Sequence, residues 1–244
     1  MKLWLTTALA SAALFGGCAS YLPPGAKADL QVFAPAEIAA GFAIQPTAPF
    51  PASIAAVRVQ APAYTNHYLD SNGGKVGAGR YSVIVTREVE MEHHFEQVAK
   101  LAQVAGVTGI NRMLLPDRFD SDREIRAAAS RLQADLVFLY TFDTAFFDSD
   151  AARPLTVITL GLAPTRRIVA STTVSALLLD TRTGYVYATY EVTVRKEAVA
   201  SSWGSRDTAD RSRRDNEREA FGRLIDDVAG SWPKLLERHL KKSP

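Results

Sequence analysis

The sequence predicts an α/β fold of the α+β kind: a mixed β-sheet of about five to seven strands, helices packed on it, and a C-terminal helix. Three observations predict it. Ala134 to Phe142, ADLVFLYTF, is a continuous apolar run rich in β-branched and aromatic residues, bounded by Asp135 and Asp143. That is the composition of a strand covered on both faces. Val169–Leu179 and Tyr185–Arg195 flank Asp180–Gly184, DTRTG, whose glycine can take the left-handed conformation of a hairpin loop. Finally, Glu88–Ala105 and the chain from Phe221 onward carry apolar residues three or four apart, the helical period.

In chain order, Ser53–Gln60 is the first strand, with Ile54, Val57 and Val59 as its apolar members. Tyr64–Arg80 contains SNGGKVGAG. Neither G-x-x-x-x-G-K-[ST] nor G-x-G-x-x-G fits it, so a flexible loop or hairpin is the better reading than a phosphate cradle. Tyr81–Thr86 is the next strand. In Glu88–Ala105 the residues Met91, Phe95, Val98, Ala102 and Ala105 predict an amphipathic helix stopped by Gly106. Ile110–Leu115, ended by Pro116, reads as a short strand. Ser121 and Glu124 form a capping box ahead of Ile125, Ala128, Ala129 and Leu132, which starts a second helix.

After the buried strand come three more, Leu155–Ala163, Val169–Leu179 and Tyr185–Arg195. In the last, Val186, Ala188, Tyr190, Val192 and Val194 share one face, and Tyr185, Tyr187, Thr189, Glu191 and Thr193 the other. The charged run Arg206–Glu219 interleaves acids with arginines and reads as a solvated helix face. The helix continues through Phe221, Leu224, Ile225, Val228, Trp232, Leu235, Leu236 and Leu240, with Pro233 expected to kink or split it.

Composition narrows the function class. The chain has 244 residues, 47% of them hydrophobic and 22% charged, with a net charge of +2. Near-neutrality argues against a nucleic-acid partner, which needs a concentrated basic surface. After the first residues no apolar stretch is long enough to span a bilayer as a helix.

The N-terminus reads as an address. Lys2 is followed by the apolar run Leu3–Phe15, then Gly16, Gly17 and Cys18, the only cysteine. The run has the layout of a secretory signal. Leu14-Phe15-Gly16-Gly17-Cys18 resembles the lipobox of bacterial lipoproteins, departing from it at Phe15, where leucine is commonest. The resemblance implies that the Cys18 thiol takes a diacylglycerol and becomes the mature N-terminus. The competing reading is a free or buried thiol behind an ordinary signal. By resemblance to Gram-negative lipoproteins, Ala19 and Ser20, which lack the retention aspartate, favour the outer membrane, with the body facing the periplasm. The expected organisation is a signal peptide at 1–17, a lipidated and Ala/Pro-rich tether at 18–52, and a single periplasmic domain at 53–241. A flexible segment of about 34 residues would span on the order of 30 Å. Within it, Ala36–Ile44 could form a short helix or pack on the domain.

Catalytic signatures are scarce. There is no G-x-S-x-G elbow, and acylation would remove Cys18 as a nucleophile. Four histidines make a thin supply of bases. His93 and His94 sit among Glu90, Glu92 and Glu96; Glu90 and His94 have metal-ligand spacing on a helix, yet H-E-x-x-H is absent. A solvated polar face is the default there, and no metal or cofactor is expected. Asp143, Asp148 and Asp150 in FDTAFFDSD could serve glycoside chemistry only within a cleft, and read better as strand ends and turn caps. Phe146 and Phe147 among them are candidates for an exposed partner contact in a loop.

The order of elements, with IAAVRV, RLQADLVFLYTFDT and SALLLDTRTGYVYATYEV, resembles the periplasmic domain shared by the curli secretion channel subunit and the lipoprotein activator of penicillin-binding proteins. Asp135 and Asp180–Gly184 are the matching residues. The resemblance implies an α/β sandwich and a non-enzymatic role, docking on or helping to assemble another envelope component. The curli channel needs two membrane hairpins per subunit, whereas only Leu155–Ile168, with Arg166 and Arg167 near its turn, offers one. The expectation is therefore a lipid-anchored accessory lipoprotein, held to outer-membrane lipid by Cys18 and binding an envelope protein. A homo-oligomeric export pore is the alternative and a periplasmic hydrolase the third choice.

Overall fold

Three fifteen-residue strands, β7 (Leu136–Asp150), β8 (Arg166–Asp180) and β9 (Val186–Ala200), make one side of the sheet. They belong to a computed structural model that describes residues 38–66, 73–150, 166–200 and 205–240. On the other side of β7 lies β1 (Ala52–Gln60), parallel to it from Ile54 opposite Leu136 to Arg58 opposite Tyr140. The far edge of β1 is shared. Its first half pairs in parallel with β5 (Val104–Gly109), and its last three residues pair antiparallel with β4 (Ser82–Ile84). β2 (Lys75–Val76) extends β4, so the sheet runs β2-β4-β1-β7-β8-β9 with β5 beside β1: seven strands, mixed, as the sequence predicts. A separate ladder joins β3 (Ala78–Gly79) to β6 (Arg118–Phe119). Gly79 is required there: its φ is 112°, and a Cβ would lie 2.2 Å from the Phe119 carbonyl oxygen.

Period-two alternation sends side chains to two cores. One face carries Ile54, Leu136, Phe138, Tyr140 and Phe142 toward α2 (Glu92–Ala99) and toward Phe221, Leu224, Ile225 and Trp232 of α4 (Ser205–Leu240). The other carries Val57, Val59, Val137 and Leu139 toward Phe119 and toward Ile125, Ala128 and Ala129 of α3 (Arg123–Arg131). Half of the capping box forms as expected: Ser121 N–H donates to Glu124 Oε2 at 3.0 Å. Ser121 Oγ accepts from Arg123 N–H at 3.2 Å, one position earlier than expected.

Several elements differ from expectation for non-local reasons. The helix expected over Glu88–Ala105 spans only Glu92–Ala99; Gln103 takes φ 61°, and Gly106 sits within β5 instead of ending a helix. The first half of β1 needs a main-chain partner, and the β-branched residues Val104, Val107 and Thr108 supply a strand for it. The strand expected at Ile110–Leu115 is a 3₁₀ turn at Arg112–Leu114, capped by Asn111 Oδ1 accepting from Met113 N–H at 2.9 Å. α4 is continuous over thirty-six residues and runs through Pro233 without splitting. Trp232, Leu235 and Leu236 pack on the sheet around the proline and hold its turn in place. In β9 the clean alternation fails at a bulge, where Leu178 pairs with Ala188 but Leu179 with Val186. The extra residue turns Tyr187 to the α4 side together with Tyr190, Val192 and Val194. The strand expected at Leu155–Ala163 lies outside the described residues.

The stretch before β1 is not free of the sheet where it is described. α1 (Ile38–Ala43) is followed by Thr47 and Ala48, which bond to Asp180 at the far end of β8.

Candidate functional site

A buried set of charges lies between β1, β7 and α4. Arg58 comes from β1, Glu88 and Glu90 from the segment before α2, and Arg213 and Glu217 from one turn of α4. Their side chains are at most 5% exposed. Arg58 lies 3.4 Å from Glu90 and 3.6 Å from Glu217, while Arg213 lies 2.8 Å from Glu217 and 2.5 Å from Glu88. Arg58 also donates to Tyr64 Oη at 2.9 Å and stacks over Phe142, 4.5 Å from the ring centre. Tyr140 Oη donates to Glu90, and Thr144 Oγ1 to Glu217.

Three carboxylates thus meet two guanidiniums out of water. Burial pushes the Glu217 carboxyl above the ordinary carboxylate range, against the pull of Arg213 and Arg58. Burial opposes the charge on both arginines, but Tyr64 and Glu90 beside Arg58, and Glu217 and Glu88 beside Arg213, hold their pKa values above normal. Chemically this is a brace, in which most polar atoms are turned toward one another. Reading Arg206–Glu219 as a wholly solvated face missed it. The signal was present: Arg213, Glu217, Ala220, Leu224 and Val228 continue one helical stripe from the apolar half into the charged half, and all are buried.

A second constellation sits at the β8–β9 turn. The Asp180 carboxylate accepts from the backbone N–H groups of Thr47 (2.6 Å), Ala48 (2.8 Å), Arg182 (2.8 Å) and Thr183 (3.1 Å). Gly184 closes the turn at φ 73°. Next to it, Asp135 accepts from Ser53 N–H and from Arg182, tying the start of β7 to β1 and to the same turn. Asp135 and Asp180, singled out in the sequence, therefore meet around Arg182. Burial would raise the Asp180 carboxyl, yet the backbone donors of Thr47, Thr183, Arg182 and Ala48 outweigh it and hold the pKa below the ordinary range. A group depressed in this way contributes stability above its unfolded value, and that contribution is lost as pH falls through the folded value. Asp180→Asn is expected to cost about 2–3 kcal/mol near neutrality. It should also flatten the loss of stability below pH ~4. Chemical denaturation of both chains at pH 7 and pH 3 measures this, and an unchanged midpoint at pH 7 would show that the clamp holds nothing.

Beside the turn, the start of β9 and the end of α4 border an open groove of about 460 Å³, with Tyr187, Ala188, Tyr190 and Leu235 in its lining and Lys234 and Arg238 one helical turn apart on its wall. Tyr187 also lines a neighbouring hollow of about 360 Å³ with Thr47, Phe50 and His239. Its ring meets His239 edge-on at 4.7 Å.

The residues singled out from sequence fall elsewhere. Cys18 lies outside the described residues. FDTAFFDSD is not a loop but the second half of β7, paired with β8 throughout. Phe146 is 6% exposed and packs on Ala170 and Ala209, so it faces α4 and offers no surface to a partner. Phe147 pairs with Val169 in the ladder, and its side chain lies outside the described residues, as do those of Asp148 and Asp150. Asp143 is half-buried in mid-strand, opposite Thr173, and ends no element. Glu90 precedes α2 instead of sharing a helix face with His94; it serves Arg58, while His94 Nδ1 accepts from Met91 N–H at 3.2 Å. Among the described residues no three His, Cys, Asp or Glu side chains are grouped to hold a metal ion. No helix of the described residues is long and apolar enough to cross a membrane.

No family model matches the chain, and no curated protein matches it in sequence. Among solved structures it is similar to a Xanthomonas campestris protein described by the family model DUF330, at 13% identity and a TM-score of 0.35, over 78% of this chain and 93% of that one. It is also similar to a Helicobacter pylori protein described as a homolog of the neuraminyllactose-binding hemagglutinin, at 11% identity and a TM-score of 0.36, over 80% of this chain and 94% of that one. At that level of likeness nothing about function passes from either to this chain.

Proposed function

We propose that the chain is a non-enzymatic binding lipoprotein of the bacterial envelope, anchored in the outer membrane through Cys18 and docking on another envelope protein from the periplasmic side. The observation that carries the reading is Leu14-Phe15-Gly16-Gly17-Cys18 behind an apolar run, with the sole thiol of the chain at the point where a lipoprotein would be acylated. Each buried methylene of an acyl chain adds about 0.8 kcal/mol of membrane affinity, and more than one chain makes the anchor stable. The polypeptide leaving that anchor is fixed at Thr47 and Ala48 by Asp180, beside the β9–α4 groove. A partner bound in the groove would therefore be held next to the anchored end of the body. The groove has an aromatic floor and two cations, which suits an extended segment bearing carboxylates.

Cells fed a palmitate analogue should label the wild-type chain and place it in the detergent phase. Cys18→Ser should lose the label and move to the aqueous phase. A wild-type chain that stays unlabelled and aqueous would remove the anchor from the reading. Crosslinking in intact cells, followed by mass spectrometry, then identifies the envelope partner; a well-expressed, anchored chain that crosslinks to none would remove the docking role.

A further inference from the structure

We propose that the protein self-associates through the open edge of β9, two copies pairing their β9 strands antiparallel about a two-fold axis at Thr193, so that one continuous sheet runs through both. β9 is the last strand of the sheet, and among the described residues it pairs only with β8. An edge of fifteen residues is long, and β9 carries none of the proline that blunts such edges; its single bulge lies at the Tyr187 end. From Thr189 to Glu197 the outer main chain therefore presents an uninterrupted template for another strand.

The charges on the open face select the occupant and the register. Thr189, Glu191, Thr193, Arg195 and Glu197 alternate along that face, and all are exposed. The Arg195 side chain has no hydrogen-bond or ion-pair partner among the described residues, and the Glu191 carboxylate accepts there only from the Ser175 hydroxyl on β8. In an antiparallel pair, opposing residues lie on the same face, so the two-fold must pass through a residue and not between two. Centred on Thr193, it sets Glu191 of each copy opposite Arg195 of the other, twice by symmetry. On the α4 side the same register sets Val192 opposite Val194. Centring on Val194 instead would oppose Glu191 to Glu197, which repels, and centring on Val192 would leave Arg195 opposite Thr189. Centring on Lys196 would pair Arg195 with Glu197 but set Lys196 opposite its own copy, whereas the Thr193 register pairs opposite charges on both sides of the axis and opposes no like ones. A second copy is therefore the partner this strand fits, and an isologous contact of this kind closes at two subunits, unlike the ring of a pore.

The test uses the purified full-length chain in a Cys18→Ser background, where an added cysteine is the sole thiol and the lipid anchor plays no part. At the axis, Thr193→Cys places two Cβ atoms about 5 Å apart, within reach of a disulfide after slight adjustment. Thr189→Cys places them about 27 Å apart. Mild oxidation should convert the Thr193→Cys chain to a covalent dimer and leave Thr189→Cys monomeric. Sedimentation of the cysteine-free chain should show a dimer that Glu191→Arg weakens about ten-fold and that adding Arg195→Glu to the same chain restores. These side chains are exposed, and an unchanged circular dichroism spectrum shows that the variants fold. A chain that remains monomeric at several hundred micromolar overturns the proposal. So does equal crosslinking at both positions, or a double charge reversal that fails to recover the dimer.

Discussion

Replacing Arg58 by leucine is expected to lower stability by about 3–5 kcal/mol at neutral pH, because Glu90 and Glu217 would keep their burial and lose the guanidinium they share. Leucine also ends the stacking of Arg58 over Phe142 and leaves Tyr64 Oη without its cationic donor. The pH dependence separates this cause from a simple packing loss. Glu217 is already pushed up by burial, and without Arg58 it rises further. A carboxyl raised in the fold contributes stability below its unfolded value, and that contribution is lost as pH rises through the folded value. The penalty of Arg58→Leu should therefore grow from pH 5 to pH 8. A second substitution, Glu217→Gln, should recover part of it at pH 8 by removing one of the three buried carboxylates that would then have Arg213 as their one buried guanidinium. Urea denaturation of the three chains at both pH values measures this. A loss under about 1 kcal/mol that is flat with pH would mean that water reaches these groups and the brace carries no strength.

This brace also marks where sequence reading ran out. The strand after Ala134, the capping box at Ser121 and Glu124 and the turn at Asp180–Gly184 were legible because each is decided within a few residues, by an apolar run, a reciprocal hydrogen bond or a glycine at positive φ. β5 was not. Its local pattern, Val104 to Gly109, reads equally well as the tail of a helix, and only the first half of β1 makes it a strand. The bulge at Tyr187 is likewise a property of the β8–β9 pair and cannot be read from β9 alone.

Of the candidate sites, the turn aspartates were visible from their motif, although their bonds to Thr47 and Ser53 span more than 80 residues. Arg213 and Glu217 were hidden by composition. Three exposed neighbours, Arg211, Asp215 and Arg218, and three half-buried ones, Asp210, Arg214 and Glu219, outnumber them, and only the helical phase of Phe221 and Leu224 shows which charges point inward. Phe146 went astray for the opposite reason. An aromatic pair among aspartates looks like a loop until the strand is known to run fifteen residues and to lie under α4.

Phe221→Ala is expected to cost about 3–5 kcal/mol by a different mechanism, the cavity left by a fully buried ring. Phe221 is the hub of the aromatic cluster, with ring centres of Tyr140 at 4.9 Å, His94 at 5.3 Å, Phe95 at 5.9 Å and Phe142 at 6.1 Å. Truncation would thus loosen α4 from β7 and from α2 together. Phe221→Leu, which keeps most of the volume, should cost only about 1–1.5 kcal/mol. The size of the cavity, and not loss of aromatic character, sets the larger effect. The hub and the brace are joined through two residues. Phe142 lies under Arg58 and beside Phe221, and Tyr140 packs on Phe221 while donating to Glu90. The Arg58→Leu, Phe221→Ala double variant should therefore fall short of the summed single losses by about 0.5–3 kcal/mol, because collapse into the first defect relaxes the wall of the second. Should the two losses add without remainder, the apolar and ionic parts of this interface would be independent, and α4 would be held to the sheet by two separate attachments instead of one.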